Sequence, residues 1–202
     1  MKYIRVCMNF RLTLLALAFS GATFAQSGEF WFNAGASLFQ NAGLGSASTT
    51  GSNKDYELTN GFRFGFRFNF NTGDHIGYEV GYSYSRTQLR YNPTPSETGM
   101  GIHTGAFDAL WHVTKRDSRV RPFVIGGVHF SNFVPPGSSA TSGGGDNKFG
   151  FNYGAGIKAR VSSKFGVRFD VRQFTNPKPF GLLNASGWIR QTEVSGGFGL
   201  LF

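Results

Sequence analysis

The sequence predicts an all-β protein, an eight-stranded antiparallel up-and-down β-barrel that crosses a membrane, and three observations lead to this fold class. The chain contains 29 Gly and 23 Phe among 202 residues, and this Gly content is about twice the average usage of roughly 7%. Apolar and polar side chains alternate with a period of two over most of the chain. Long and short connections alternate between the segments that have this period.

Residues 1–25 are organised as a secretory signal peptide. A basic start at residues 1–11 precedes an apolar run at residues 12–19, and mostly small residues lead to Ala25. The apolar run is too short for a transmembrane helix, which needs about 20 residues. We therefore expect export, cleavage after Ala25, and a single barrel domain over residues 26–202.

The charge and the cysteine content exclude several kinds of protein. The chain carries a formal net charge of +9 without any run of five Lys or Arg residues, so the sequence predicts no nucleic-acid partner. A basic barrel instead suits an anionic membrane surface. Cys7 is the only cysteine and lies in the segment that we expect to be removed, which leaves neither a disulfide framework nor a thiolate metal site.

Residues 62–70 have the clearest period of two. Phe at every even position alternates with Arg63, Gly65, Arg67 and Asn69. Successive side chains of a strand point to opposite faces, so this segment has one apolar and one polar face. The same alternation predicts eight strands, near residues 28–39, 62–70, 76–85, 101–113, 119–132, 149–161, 165–172 and 193–202.

The predicted connections alternate in length. The short ones lie at residues 71–74, 114–118 and 162–164. The long ones lie at residues 40–56, 91–99, 135–148 and 175–187. Up-and-down membrane barrels have long loops outside the cell and short turns in the periplasm. We expect the Gly- and Ser-rich loops at 40–56 and 134–148 to be mobile.

Several features favour a membrane barrel over a soluble one. Gly is frequent on the polar face, and an eight-stranded barrel has an interior just wide enough for side chains, so Gly would make room there for Arg and Glu. Segments of about ten residues match what a tilted strand needs to cross a bilayer. Aromatic residues near strand ends or on the apolar face suit an interfacial girdle, and these are Trp31, Tyr78, Tyr84, Trp111, Tyr153 and Trp188.

The polar face predicts a charged lumen. Six basic and four acidic residues share this face, namely Arg63, Arg67, Glu79, Asp108, Lys158, Arg160, Arg168, Asp170, Arg172 and Glu193. Because isolated charges in a narrow interior are costly, we expect a hydrogen-bonded network of ion pairs. Arg168, Asp170 and Arg172 would form its centre, with Glu79 and Glu193 as partners. Such a network either fills the lumen or belongs to a gated polar pore or a small-anion site.

Three passages resemble a known family, namely RPFVIGGVHF at residues 121–130, the alternating segment 152–174, and GGFGLLF at residues 196–202. They are similar to the bacterial outer-membrane β-barrel family that includes the OmpA-type transmembrane domain. The resemblance implies a Gram-negative outer membrane, with lipid and lipopolysaccharide around a barrel that we expect to be monomeric. It also implies that the barrel-insertion machinery reads the last strand, through Phe198, Leu200 and Phe202. Because the sequence ends at the barrel, we do not expect the peptidoglycan-binding domain of OmpA.

One short motif points to an enzyme. VHFSN contains His129, Ser131 and Asn132, and this order resembles the catalytic motif of outer-membrane lipid A deacylases. The imidazole would act as a base for the hydroxyl, with the amide at an oxyanion site. The sequence offers no nearby acid to orient the imidazole. The other histidines are scattered over different segments, so we expect neither a metal site nor a cofactor.

The leading interpretation is a non-enzymatic barrel with a structural or surface-interaction role that it exerts through its long loops. A lipid A deacylase that uses His129 and Ser131 is one alternative. A narrow channel or a small-ligand carrier is another. The pattern of residues leaves these alternatives open.

Overall fold

The computed structural model describes residues 27–202, so the predicted signal peptide at residues 1–25 and Cys7 lie outside the described residues. Within residues 27–202, eight long antiparallel strands form a closed barrel, and two short strands lie in the first loop. This arrangement confirms the predicted fold class. In chain order the strands are β1 (Ser27–Gln40), β2 (Gly43–Gly45), β3 (Tyr56–Leu58), β4 (Gly61–Asn71), β5 (Ile76–Tyr91), β6 (Ser96–His112), β7 (Val120–Val134), β8 (Asp146–Arg160), β9 (Phe165–Pro177) and β10 (Trp188–Leu201). In the same part of the chain, no helix has the length and apolarity needed to cross a membrane.

The barrel closes because its first and last strands pair with each other. β1 pairs with β10 in a register that places Phe32 opposite Phe198, and with β4 in one that places Phe32 opposite Phe66. The remaining wall strands each pair with the next one along the chain. Closure leaves the eight wall strands without a free edge, which a spanning sheet needs because lipid cannot satisfy backbone polar groups.

The apolar face of the barrel lies outside and the polar face lies inside. On β4, Phe66 is 47% exposed, whereas its neighbour Arg67 is 6% exposed. A soluble barrel would have the opposite arrangement, with Phe in the core. An outward apolar belt is what a barrel presents to lipid. The last strand contributes Phe198 and Leu200 to this outer face, and Phe202 beyond its end is also exposed.

The two ends of the barrel differ. One end, here called the turn end, holds Ser27, Phe202 and the connections at residues 72–75, 113–119 and 161–164. The other, the loop end, holds loop 1 (residues 41–60), loop 2 (92–95), loop 3 (135–145) and loop 4 (178–187). Membrane barrels characteristically have short turns at one end and long loops at the other, and this chain has the same arrangement.

The connection predicted at residues 91–99 is shorter than expected. β5 continues to Tyr91 and β6 begins at Ser96, and these two residues pair with each other. Pro93 and Pro95 both lie in the short turn between them, where a missing N–H costs no ladder hydrogen bond. The prediction of a long loop was wrong because strand pairing continues well past the last clearly alternating residues.

Loop 1 folds over the loop end of the barrel. β2 pairs with β3, and β3 extends the sheet by pairing Leu58 with Leu89 of β5. Loop 1 and the adjoining strands together bury an apolar cap, formed by Ala42, Leu44, Leu58, Met100, Ile102, Phe133 and Ile189. Residues 40–56 were expected to form a mobile loop, and the structure shows that part of this loop pairs as strands and buries apolar side chains.

Trp31 does not belong to the aromatic girdle. Its side chain points into the lumen and is 1% exposed, and its Nε1 donates to the Glu29 carboxylate at 2.8 Å. Position 31 is in phase with the inward-facing Asn33, so the strand period requires this direction. The other aromatic residues predicted for the girdle lie on the outward face, namely Tyr78, Tyr84, Trp111, Tyr153 and Trp188.

Candidate functional site

The lumen is lined by polar positions that alternate with lipid-facing ones. Arg63 and Arg67 share the inward face of β4, and Arg168, Asp170 and Arg172 share that of β9. Because inward positions recur every second residue, these side chains follow one another along the barrel wall. The structure brings eight of the predicted lumen residues into one buried group, the central cluster, made of Arg63, Arg67, Glu79, Asp108, Arg168, Asp170, Arg172 and Glu193.

Arg168 connects two opposite walls of the barrel. Its Nε and Nη2 donate to the two carboxylate oxygens of Asp170 on the same strand, both at 2.8 Å. Its Nη1 donates to Glu79 at 2.6 Å and to Asn69 Oδ1 at 3.2 Å. β9 and β5 are four strands apart in either direction around the ring, so this side chain and its partner together cross the lumen.

Arg67 joins two carboxylates from neighbouring strands. Its Nη1 donates to Asp170 at 2.8 Å and its Nη2 to Glu193 at 2.5 Å. Glu193 also lies 3.2 Å from Nε of Arg63, whose guanidinium stacks 4.0 Å from the centre of the Phe174 ring. Glu193 therefore pairs with the two arginines of β4, whereas the strand pattern predicted that it would pair with those of β9.

Arg172 contacts the carboxylates on the far side of the lumen. It donates to Glu79 and, at 3.1 Å, to Asp108. Asp108 also accepts a hydrogen bond from Asn152 Nδ2 at 2.9 Å. The central cluster thus draws its members from β4, β5, β6, β9 and β10, with a neutral donor from β8.

The charges of the central cluster balance, because it holds four guanidinium groups and four carboxylates. Each carboxylate accepts from at least one guanidinium, so none is left as an available base or nucleophile. Removing one member of such a buried group leaves an uncompensated charge. Among residues 27–202, no group of three or more His, Cys, Asp or Glu side chains has an arrangement that could hold a metal ion. The geometry suits filling and rigidity rather than acid–base chemistry.

Glycines make room for the long arginine side chains. A Cβ at Gly81 would lie 3.2 Å from Cγ of Arg67, and one at Gly154 would lie 3.0 Å from Cγ of Arg172. Both contacts are tighter than ordinary van der Waals packing. Other inward glycines stand against different groups, because a Cβ at Gly197 would overlap the carbonyl oxygen of Phe32 and one at Gly199 would lie 2.5 Å from the Trp31 ring. The narrow interior therefore needs small residues at several points of the polar face.

A second charged group lies near the turn end, and two of its members, Glu29 and Arg121, were not predicted from the sequence. Lys158 Nζ lies 2.6 Å from Oε2 of Glu29, and Arg121 Nη1 lies 3.8 Å from Oε1 of the same carboxylate. Lys158, predicted as part of one lumen network, therefore pairs with Glu29 rather than with the central cluster. The period of two could have predicted both residues as inward-facing. Glu29 lies two residues before Trp31 and Arg121 two residues before Phe123, and all four side chains are buried in the lumen.

Arg160 is not part of the lumen network, and that prediction is corrected. It is the last residue of β8 and its side chain is exposed at the turn end, where Nη2 donates to the carbonyl oxygen of Arg116 at 3.2 Å. Position 160 is in phase with Lys158. The alternation simply continues past the point where the wall encloses the interior.

The residues of the VHFSN motif do not converge on one site. His129 and Ser131 are buried on the inward face of β7, where His129 Nε2 lies 2.9 Å from Asn176 Oδ1. Ser131 Oγ lies 3.1 Å from Thr104 Oγ1. Asn132 lies on the opposite face of the strand. The barrel wall therefore separates the imidazole and the hydroxyl from the lipid.

Known proteins share this architecture. The model of the family described as outer membrane protein beta-barrel domain matches residues 12–202. The barrel is similar to the crystal structure of OprG from Pseudomonas aeruginosa, with a TM-score of 0.58, 13% identity, and coverage of 87% of this chain and 96% of that chain. It is also similar to Neisserial surface protein A, with a TM-score of 0.58, 17% identity, and coverage of 87% and 97%. It is similar as well to the N-terminal barrel of Pseudomonas aeruginosa OprF, with a TM-score of 0.50, 15% identity, and coverage of 86% of this chain and 97% of that chain. At these identities the likeness concerns the fold alone, and no curated protein matches the chain.

Proposed function

The chain belongs to the outer membrane protein beta-barrel domain family, and on that premise we propose that it is a closed, non-conducting barrel with a structural or surface-interaction role. The central cluster carries the proposal. Arg168 and Glu79 meet across the middle of the lumen, and Arg67 and Arg172 occupy the space beside them. A continuous water path at this level would require the ion pairs to separate, which exposes buried charges at high cost.

The apolar cap supports closure at a second level. Leu44 of loop 1 is fully buried among Met100, Ile102 and Phe133 from the ends of β6 and β7. Ile189 of β10 completes the contact from the other side of the barrel. An ion that entered from the loop end would have to pass this apolar group before it reached the charged lumen.

The loop end also supports a surface-interaction role. Ser46 of loop 1 and Leu183 of loop 4 exchange backbone hydrogen bonds of 2.8 and 2.9 Å. Asn184 Nδ2 donates to the carbonyl oxygen of Gly51 at 2.7 Å. These bonds tie two long loops into one surface, and a surface that is ordered before binding loses less conformational entropy when a partner binds.

No observation favours the deacylase alternative. His129 and Ser131 would have to meet the acyl ester of a lipid, but both side chains lie behind the barrel wall with buried polar partners. The central cluster and the apolar cap both argue against the narrow-channel alternative, because each would block an ion path through the lumen. We therefore propose the structural and surface-interaction role alone.

Export, insertion and lipid contacts complete the proposal. Residues 1–25 would direct export, with cleavage after Ala25. The outward side chains of the last strand would be read by the insertion machinery. The exposed aromatic and aliphatic belt would then face membrane lipid, with lipopolysaccharide in the outer leaflet.

Conductance in planar bilayers tests the proposal. We expect the refolded wild-type protein to give no stable single-channel steps in 1 M KCl, beside a porin control that does. The matched variant replaces Leu44 by Asp and Glu79 by Ala, which opens the cap and breaks the cross-lumen pair, and we expect it to leak. Stable wild-type steps that disappear when Arg168 is changed would contradict a closed barrel and identify a pore.

A further inference from the structure

A pocket at the turn end has the composition of an anion site. It has a volume of about 260 Å³ and opens where the turn between β6 and β7 meets the ends of β1 and β8. Five cationic side chains and two carboxylates line it, namely Arg116, Arg119, Arg121, Lys158, Arg160, Glu29 and Asp117. These lining side chains carry a net positive charge, although the central cluster next to them is balanced.

The lining of the pocket holds more cationic side chains than carboxylates. The carboxylate of Glu29 is already shared, since it accepts from Lys158 at 2.6 Å, from Trp31 at 2.8 Å and from Asn71 at 2.9 Å. Arg121 reaches this carboxylate only at 3.8 Å. Its Nη2 donates to the carbonyl oxygen of Asp74 at 2.9 Å.

Arg121 is the most buried arginine of the pocket. The residue lines the cavity but is only 5% exposed, and its Nε is enclosed by protein. Its fixed positive charge adds to the attraction that an anion in the pocket experiences. Arg119 and Arg160 stand at the exposed rim of the same pocket, where they attract an anion from solution.

We propose that this pocket binds a phosphate group on the periplasmic side of the membrane. Planar guanidinium groups bind phosphate oxygens through paired hydrogen bonds, and several of them together favour a doubly charged anion over chloride. The volume is below the range of about 300–1,000 Å³ typical of drug-sized ligands, so the pocket takes the phosphate and only the atoms next to it. Leu201 and Phe202 line one side, which leaves room for an apolar neighbour.

Two sources carry this chemistry. One is the phosphate of a phospholipid head group in the periplasmic leaflet, and the other is a soluble phosphate ester of the periplasm. The test uses the mature protein in octyl glucoside, a detergent without phosphate, at constant ionic strength. Inorganic phosphate and a short-chain phosphatidylglycerol are titrated separately, and NMR follows the Nε–H signals of Arg119 and Arg121.

Saturable shifts with inorganic phosphate support the site and assign it to soluble phosphates. Saturable shifts with the lipid alone support the site and assign it to head groups. The double variant Arg119→Gln, Arg160→Gln should bind at least about tenfold more weakly, because it removes two charged donors. It should still fold, because both side chains are exposed at the rim.

The control is the double variant Arg86→Gln, Arg190→Gln, which removes the same charge from exposed positions near the loop end. Its affinity should equal that of the wild type. If both double variants bind phosphate or lipid equally more weakly than the wild type, the binding is a non-specific attraction to a basic protein, and the proposal is overturned. The absence of saturation with either phosphate or lipid would overturn it as well.

Discussion

Arg168 on β9 and Glu79 on β5 form an ion pair across the barrel, with Nη1 of the arginine 2.6 Å from the carboxylate. Both side chains are completely buried. The pair joins strands that lie opposite each other in the ring, and each partner has a second oppositely charged neighbour, Asp170 for the arginine and Arg172 for the glutamate. The lumen is therefore held together by side chains as well as by the backbone ladder.

Replacing Glu79 by Ala should strongly destabilise the barrel. The change leaves Arg168 and Arg172 without their shared carboxylate, and breaking a buried ion pair costs about 3–5 kcal/mol. The matched control is Glu97→Ala, since Glu97 pairs with Arg90 at 2.7 Å on an exposed strand extension and should cost less than about 1 kcal/mol. Urea unfolding in phospholipid vesicles, followed by Trp fluorescence, measures both. Similar losses for the two variants would contradict a central role for the cluster.

Removing both partners of the cross-lumen pair should cost less than the sum of the single changes. Arg168→Met combined with Glu79→Leu leaves three arginines and three carboxylates, so the cluster stays neutral. Residues in one ion-pair network couple by about 0.5–3 kcal/mol. A double-mutant cycle from the same unfolding experiment measures this coupling, and strictly additive losses would mean that the two side chains act independently.

Loop 1 should be protected from hydrogen exchange although it is rich in Gly and Ser. The amide of Ser46 donates to Leu183 at 2.8 Å and that of Leu58 to Ala42 at 3.0 Å. Leu44→Ala should raise exchange at these amides by about tenfold or more, because it removes a buried side chain from the apolar cap.

The control for loop 1 is Leu38→Ala, which alters an exposed side chain on the outer face of β1 and should leave the same amides protected. Loop 3 is largely exposed around its short 3-10 turn at Ala140–Ser142, and its amides should exchange fast in every variant. Fast exchange across loop 1 in the wild type would instead restore the expectation of a mobile coil.

Ser131→Ala should leave the lipid A of expressing cells unchanged. The hydroxyl contacts Thr104 inside the barrel, so the substitution should cost only about 1 kcal/mol of stability. Mass spectrometry of lipid A from cells with the wild type, the variant and an empty vector makes the comparison. An acyl chain that is lost with the wild type and retained with the variant would revive the deacylase alternative.

The period of two was sufficient to predict the strands and the composition of both faces. Which side chains share a face follows from their positions along one strand, so Phe66 and Arg67 could be assigned to opposite faces without any tertiary information. The prediction that the Phe face lies outside also needed the Gly-rich polar face and the strand length. The mostly outward aromatic residues and the buried arginines are separated by the same alternation along each strand. Trp31 and Glu29 also obey it, and they were misjudged or missed because the period is less regular in the first strand.

Some contacts across the barrel were decided only by the tertiary structure. Glu79 was already expected beside the arginines of β9, where the structure has it. The pairing of Glu193 with Arg63 and Arg67 was not expected. It depends on the stagger between strands and on how the sheet closes, and neither is encoded in any single strand. Only the tertiary structure decided the position of Arg160. It is in phase with the inward-facing Lys158, but it lies at the turn end of β8, beyond the part of the barrel that encloses the interior. The packing of loop 1 was the hardest feature to predict from the sequence. Its buried leucines, Leu44 and Leu58, find apolar partners only because the loop-end parts of β6, β7 and β10 come together around them in the closed barrel.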